Sequence, residues 1–451
     1  MIKSVVVREY ARLTTEPVPT TLSDAQINST VLDEVQITST AFEWLCDFAA
    51  NSSKSGVSLL LFKDRRSLKL DNYVGIIETP CGTILEILPK VTGYGDVESS
   101  RNLLKKMLRV ALEIPPRHGD KTNTETFKHP LMEWVMAEFT FSLSHLLKRG
   151  IRFDYQRIEE EQCFLSGQLD MVKRMRQPPG MEHIFPIRHD VFMSDRPENR
   201  LLVKALKRVC LTTKDPGTWR LSHELAGMLC EIPESQDIKG DFRQWKEDRL
   251  MAHYKPIRPW CELVLGNDMP LAFHGKTHGT SLLFPMEKLF EKYVEYYLRQ
   301  EIMPPNKLYP QEGKESLCFH NGKKMFQLRP DFIIRKAEQI IYVLDAKWKL
   351  VSETERENNS ENKYGSKYGL KEGDFYQLFA YGQKYLKGKG DMLLIYPKTY
   401  KFTQPLAPFV FLEDSGELRL WVVPFDLDND KLIWPEKLRE TRLVELCEKV
   451  E

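Results

Sequence analysis

Hydrophobic and polar positions follow patterns that change near residues 100 and 275. Residues 1–100 predict short strands and one helix. The strands are Val57-Ser-Leu-Leu-Leu-Phe62, Tyr73-Val-Gly-Ile-Ile77 and Thr83-Ile-Leu-Glu-Ile-Leu88, separated by polar or Gly/Pro turns. Thr40-Ala-Phe-Glu43 has capping-box spacing, and the helix it opens carries Phe42, Leu45, Cys46 and Phe48. Residues 101–275 are mainly helical. Leu103, Leu104, Met107, Leu108, Ala111 and Leu112 recur at helical spacing, and Leu131, Trp134, Val135, Phe139, Phe141 and Leu143 do so less strictly. Gln177-Pro-Pro-Gly180 interrupts, and Asp195-Arg-Pro-Glu-Asn199 leads into a helix over Arg200–Cys210.

Residues 276–451 read as an α/β domain. Pro285 suits the first turn of a helix, where no intrahelical N–H bond is lost. The helix turns Met286, Leu289, Phe290, Tyr293, Val294, Tyr297, Leu298 and Ile302 to one side. Two strands follow, then a helix at 374–387 and strands Met392–Tyr396 and Leu418–Val423. The stretch Ser352–Lys367 is too polar to bury apolar area and is expected to be a mobile loop.

Composition narrows the function classes. In 451 residues, 42% are hydrophobic and 29% charged, which supports real cores and excludes a disordered or fibrous chain. Lys plus Arg number 65 against 64 Asp plus Glu, so any nucleic-acid contact must come from local patches. One such patch is the basic face Arg101, Lys105, Lys106 and Arg109, which reads as a solvated face or a nucleic-acid or partner surface. No run approaches the roughly 18 apolar residues of a membrane span, and Met1–Glu9 has no apolar core of signal-peptide length. The eight cysteines are scattered without a Cys-x-x-Cys pair, the pattern of buried reduced thiols in a cytoplasmic protein.

Three motifs are decoys. Gly275-Lys-Thr277 lacks the upstream glycine of a phosphate-binding loop, because Pro270 stands there. His274 and His278 lack the Glu of His-Glu-x-x-His. Asp426-Leu-Asp-Asn-Asp430 lacks the glycine of a calcium loop, since Lys431 follows, and reads as a turn.

The chemistry concentrates in Leu328-Arg-Pro-Asp-Phe-Ile-Ile-Arg335 and Ile340-Ile-Tyr-Val-Leu-Asp-Ala-Lys-Trp-Lys349, joined by the polar turn Lys336-Ala-Glu-Gln339. With Ala337–Gln339 at the turn of a hairpin, Asp331 lies opposite Asp345. Lys347, two residues on, shares the face of Asp345. Two carboxylates so placed repel unless a cation joins them, and hard oxygen ligands suit Mg²⁺. An isolated Asp-x-Lys would read as a surface salt bridge, but the apolar strand Ile340–Leu344 that delivers these charges argues for a buried site.

Pro330-Asp331 followed by Asp345-Ala-Lys347 resembles the signature of the PD-(D/E)xK nuclease superfamily, and Gln377-x-x-x-Tyr381 resembles the downstream motif of its RecB-like members. The chain is more narrowly similar to the McrC subunits of McrBC modification-dependent restriction systems. Tyr73–Ile77, Ile87-Leu-Pro-Lys90, Leu165-Ser-Gly-Gln-Leu-Asp170 and Asp195–Leu202 carry that likeness. The resemblance implies a C-terminal α/β nuclease domain with a mixed sheet flanked by helices over 276–451, a partner-docking β-rich region over 1–100 and a helical region over 101–275. It implies Asp331 and Asp345 as ligands of Mg²⁺ (or Mn²⁺), with the Ala346 carbonyl as an added ligand and Lys347 as the catalytic lysine. Glu291 supplies the helix acid, with Glu287 and Glu295 as alternatives. Gln377 and Tyr381 either position the lysine or a DNA phosphate, or pack their helix on the sheet; Trp348 belongs to the core. The implied partners are an McrB-like AAA+ GTPase ring and double-stranded, 5-methylcytosine-bearing DNA, with no membrane. The alternatives are an adaptor that regulates an AAA+ ring without cutting, and a partner-independent DNA nuclease.

Overall fold

The computed structural model describes residues 3–17, 32–54, 59–64, 66–90, 97–114, 130–245, 249–266, 281–349, 351, 368–411 and 417–439. Ser352–Lys367, the histidines 274 and 278, and Gly275-Lys-Thr277 lie outside them. The chain divides into two compact units, one built from residues 1–114 and 270–451, the other from 115–269. This differs from the three consecutive regions read from the sequence. The physical reason is a strand exchange at long range.

In the first unit, β1 (Lys3–Arg8), β2 (Tyr73–Glu78) and β3 (Thr83–Leu88) form a sheet, followed by helix α1 (Val97–Ala111). The fourth strand is β4 (Ser281–Pro285), nearly two hundred positions downstream, in the order β1-β3-β2-β4. β1 runs parallel to β3, and the other two pairings are antiparallel. Gly75 is what lets β4 approach: it sits at φ 132°, and a Cβ there would meet the Leu282 carbonyl oxygen at 2.0 Å. A small sheet of strands within residues 12–70 and the helix Ser39–Lys54 close a core around Leu13, Phe42, Leu68 and Leu85. Thr38 accepts the Ala41 N–H at 3.3 Å, so this helix is capped two residues before the expected Thr40.

After β4 come α2 (Met286–Glu301), β5 (Asn306–Pro310), β6 (Phe332–Lys336), β7 (Gln339–Ala346), α3 (Glu372–Tyr385), β8 (Gly390–Pro397), β9 (Phe409–Phe411) and β10 (Leu418–Asp426). Pro285 ends β4 and α2 starts one residue later, at Met286. The sheet order is β5-β6-β7-β8-β10-β9, with Lys431–Leu432 added to β10. Its β7-β8-β10 centre is parallel and its flanks antiparallel. The parallel strands are apolar on both faces, as strands covered on both sides must be. Leu378, Tyr381 and Tyr385 of α3 pack with Val343, Met392 and Leu420 on one face. Phe290 of α2 meets Phe425 and Trp348 on the other.

The basic face of α1 is largely spent inside this unit. Arg101 makes a two-pronged pair with Glu86, at 2.9 and 2.7 Å, Lys105 is fully buried, and Lys106 reaches Asp430 at 2.6 Å. A nucleic-acid role for this face therefore loses its basis. Asp426–Asp430 is a turn, with Asp426 accepting the backbone N–H groups of Asp428 and Asn429.

The second unit is less purely helical than its pattern predicts. Alongside helices such as Leu131–Arg149 and Pro197–Thr212, it holds a sheet of Asp154–Gln162, Gln168–Leu169 and Phe185–Met193. The strand Asp154–Gln162 is rich in charged residues, so its periodicity carries little hydrophobic signal. The cysteines also differ from expectation: among the described residues only Cys261 is buried, while Cys81, Cys163, Cys230 and Cys318 are exposed. Among the described residues no helix is long and apolar enough to cross a membrane.

Candidate active site

The hairpin β6–β7 carries the acidic pair. Phe332 faces Leu344 and Ile334 faces Tyr342, so Asp331 lies opposite Asp345, and a register shift after Ile334 lets Ala337, at φ 53°, close the turn. Val343, Asp345 and Lys347 alternate onto the side covered by α3, because successive side chains on a strand point to opposite faces. The Lys347 N–H donates to the Ile395 carbonyl at 2.8 Å, holding it to the edge of β8.

Each charged group is then fixed differently. Asp331 Oδ2 accepts the Ala346 N–H at 2.8 Å. Asp345 is 1% exposed; its Oδ2 lies 2.7 Å from Lys347 Nζ, while its Oδ1 is buried without a hydrogen-bond partner. Burial pushes the Asp331 carboxyl far above the usual range, and the charges of Asp345 and Glu291 push it the same way. Burial likewise raises Asp345, with Lys347 opposing. For Lys347, burial works against the charge, but Asp345 and then Asp331 overcome it and hold the ammonium above its ordinary value.

Of the three helix acids, Glu291 sits within electrostatic reach of Asp345; burial raises its carboxyl, opposed by Gln311 Nε2, which donates at 2.7 Å. Glu295 is engaged by Lys292 and Arg299, and Glu287 is exposed. Gln377 and Tyr381 do meet: Gln377 Nε2 donates to Tyr381 Oη at 2.6 Å, which donates to the Arg329 carbonyl at 3.0 Å. Tyr381 thereby holds the backbone two residues before Asp331, while its ring packs the helix. Gln377 instead lines a cleft of about 490 Å³ shared with Lys347, Asp374, Lys371, Glu287 and the N-terminal Glu9 and Lys90. Trp348 is 6% exposed in the core as expected, but its Nε1 donates to Glu9 Oε1 at 2.7 Å. Gln311 and Glu9 carry no motif, so sequence spacing could not find them.

Among the described residues, no three His, Cys, Asp or Glu side chains stand grouped to hold a metal by themselves. The site offers two aspartates so close that the charge of Asp345 raises the Asp331 carboxyl, with an unused buried oxygen on Asp345 and a protonated lysine against them. Such a set can bind a hard cation and stabilise negative charge on a phosphoryl oxygen.

A family model described as "McrBC 5-methylcytosine restriction system component" matches residues 68–397. The chain belongs to this McrBC family. Its matched span includes β2, β3, all of the second unit and the hairpin β6–β7. Among solved structures, the chain is similar to one in the half-complex of Thermococcus gammatolerans McrB AAA+ hexamers with bound McrC, at 18% identity and a TM-score of 0.68, covering 96% of this chain and 97% of that one. That likeness concerns the fold. A second, from the Thermococcus gammatolerans McrBC complex, has 18% identity and a TM-score of 0.48, covering 66% of this chain and 87% of that one. No curated protein matches the chain in sequence.

Proposed function

We propose that this McrBC component is the nuclease subunit of a 5-methylcytosine-dependent restriction complex, with a PD-(D/E)xK active site, and that it works on double-stranded DNA while docked on an McrB-like AAA+ GTPase ring. One observation carries the reading. Two opposed aspartates, Asp345 buried and Asp331 half-buried, and a lysine meet at the end of a central strand in a family of restriction-system components. A merely structural pair would not need a second carboxylate facing the first, since burying uncompensated like charges costs several kcal/mol, roughly, even after relaxation. The partner is supported by the fold likeness to a chain from an assembly of McrB hexamers with bound McrC.

The unused buried Oδ1 of Asp345 and the all-oxygen donor set fit Mg²⁺. Asp331, Asp345 and the Ala346 carbonyl would hold it, with Glu291 beside them, and Mn²⁺ would substitute. When bound, the ion supplies charge neutralisation at the scissile phosphate and makes water easier to deprotonate. Lys347 holds its proton between Asp345 and the open cleft, so it sets a positive charge where oxyanion charge grows during phosphodiester hydrolysis. The Ala346 N–H orients the Asp331 carboxylate directly, and Tyr381 steadies the backbone two residues before it.

The test uses the full chain with its AAA+ partner, nucleotide, Mg²⁺ and methylated duplex. Asp345→Ala abolishes cutting and weakens Mg²⁺ binding by calorimetry. Lys347→Ala cuts almost as poorly but keeps most of the metal affinity. Partner hydrolysis is stimulated normally by both. Undiminished cutting by purified Asp345→Ala would overturn the nuclease assignment.

A further inference from the structure

Among the described residues outside the acidic hairpin, Glu9 is the most deeply buried carboxylate, at 0% exposure, and no motif announces it. It directly follows β1, where its N–H continues the parallel ladder by donating to the Leu88 carbonyl at 2.9 Å. Tyr10, the next residue, turns the chain with φ 63°, a conformation non-glycine residues rarely adopt and that persists only where surroundings enforce it. The side chain is held from two directions. Its Oε1 accepts the Lys90 N–H at 2.8 Å and Trp348 Nε1 at 2.7 Å, across 339 positions of sequence, while its Oε2 is buried without a partner.

Trp348 is the residue after Lys347, and its ring lies 5.3 Å from that of Phe290, the neighbour of Glu291. The indole is therefore wedged between Glu9 and α2, and both Glu9 and Lys347 line the same cleft. A carboxylate here is expensive: an apolar residue would spare its desolvation, and burial pushes its carboxyl up to about 7 despite both hydrogen bonds. Groups retained against such a cost beside a reactive site are candidates for a working role.

We infer that Glu9 is a positioning residue of the nuclease site, which fixes the Trp348 indole and through it the placement of Lys347, so that the N-terminal sheet completes the active site at the end of β7. Lys347 has two anchors on its own strand side, the Ile395 carbonyl and Asp345. Trp348 adds the third, from the opposite face of the sheet, and Glu9 sets the one polar atom of that ring. The inference rests on Lys347 being catalytic, as proposed above.

The experiment measures single-turnover cutting by the full complex at saturating and limiting DNA. Glu9→Leu should cut ten- to a hundredfold more slowly, roughly the effect of leaving the Trp348 donor without its acceptor or of a displacement of about 1 Å. The DNA concentration for half-maximal rate should not move. Trp348→Phe, which keeps the ring and removes only the donor, should lose a similar factor. The double variant should be no worse than the slower single one, as residues acting through one bond are not additive. Glu9→Gln should recover most of the rate, because its amide oxygen accepts the same two N–H groups. Losses that multiply in the double variant, or unaltered cutting by Trp348→Phe, overturn the inference, and the latter holds even if Glu9→Leu fails to fold. Lys347→Ala runs alongside: if it cuts at full rate, the nuclease reading has failed instead.

Discussion

Tyr381→Phe separates packing from positioning at the site. The ring is 3% exposed and shares a core with Leu378 and Tyr385, and Phe preserves that contact. The hydroxyl is the sole loss, and with it go the bonds from Gln377 at 2.6 Å and to the Arg329 carbonyl at 3.0 Å. Gln377 lines the open cleft and can turn to water, so the orphaned group is the Arg329 carbonyl. The bond is part-buried and water can reach the exposed Arg329, so its loss costs about 0.5–1.5 kcal/mol. The segment does not come free, because Tyr385 Oη still reaches the Leu328 carbonyl at 2.7 Å and the Ala346 N–H still holds Asp331. The shift of Asp331 is then a fraction of an ångström, and cutting should fall by about tenfold, short of the roughly hundredfold that a 1 Å misplacement costs. Urea denaturation gives the first quantity and single-turnover cutting the second. Abolished cutting at unchanged stability would refute the reasoning, since the hydroxyl would then act on the substrate. No change in either quantity would refute it equally.

The pH dependence of stability offers a test of Glu9. Burial raises its carboxyl from 4.5 to about 7, so the folded state binds the proton more tightly and stability falls as pH rises between those values, by roughly 3 kcal/mol. Asp331, Asp345 and Glu291 are raised too and add to the decline, so thermal melts of Glu9→Gln against pH should fall less steeply than those of the parent; an unchanged slope would place the titration elsewhere. Gly382→Ala should destabilise the fold by about 1–3 kcal/mol, the range for overpacking. A Cβ at this position would stand 2.8 Å from the side chains of Leu418 and Met392, so these buried side chains or α3 must shift, and unaltered melting would contradict that packing. Truncation at residue 275 should give an aggregating fragment by size-exclusion chromatography, because it removes β4 and bares the edge of β2. A monodisperse, folded fragment would show that the first sheet stands without β4.

The hairpin and its charges are legible in the order of residues alone. Strand alternation and a short polar turn are local rules, so Asp331, Asp345 and Lys347 could be placed on one face from spacing alone, and the structure has them there. Helix positions are legible for the same reason, with ends two to three residues off: Pro197–Thr212 against the expected Arg200–Cys210, and Glu372–Tyr385 against 374–387. Which residues stand side by side across long separations is set by packing. Glu9 against Trp348, Gln311 against Glu291 and β4 against β2 leave no periodic trace, because each depends on how whole elements pack. The basic face of α1 shows the same limit from the other side. Its spacing resembles a solvated stripe, yet Arg101 and Lys106 find Glu86 and Asp430, acids distant in sequence that the fold brings to it. Local free energies are written in neighbouring residues, whereas the pairing of distant charges follows from burial, where an unpaired charge costs more than the bond that satisfies it.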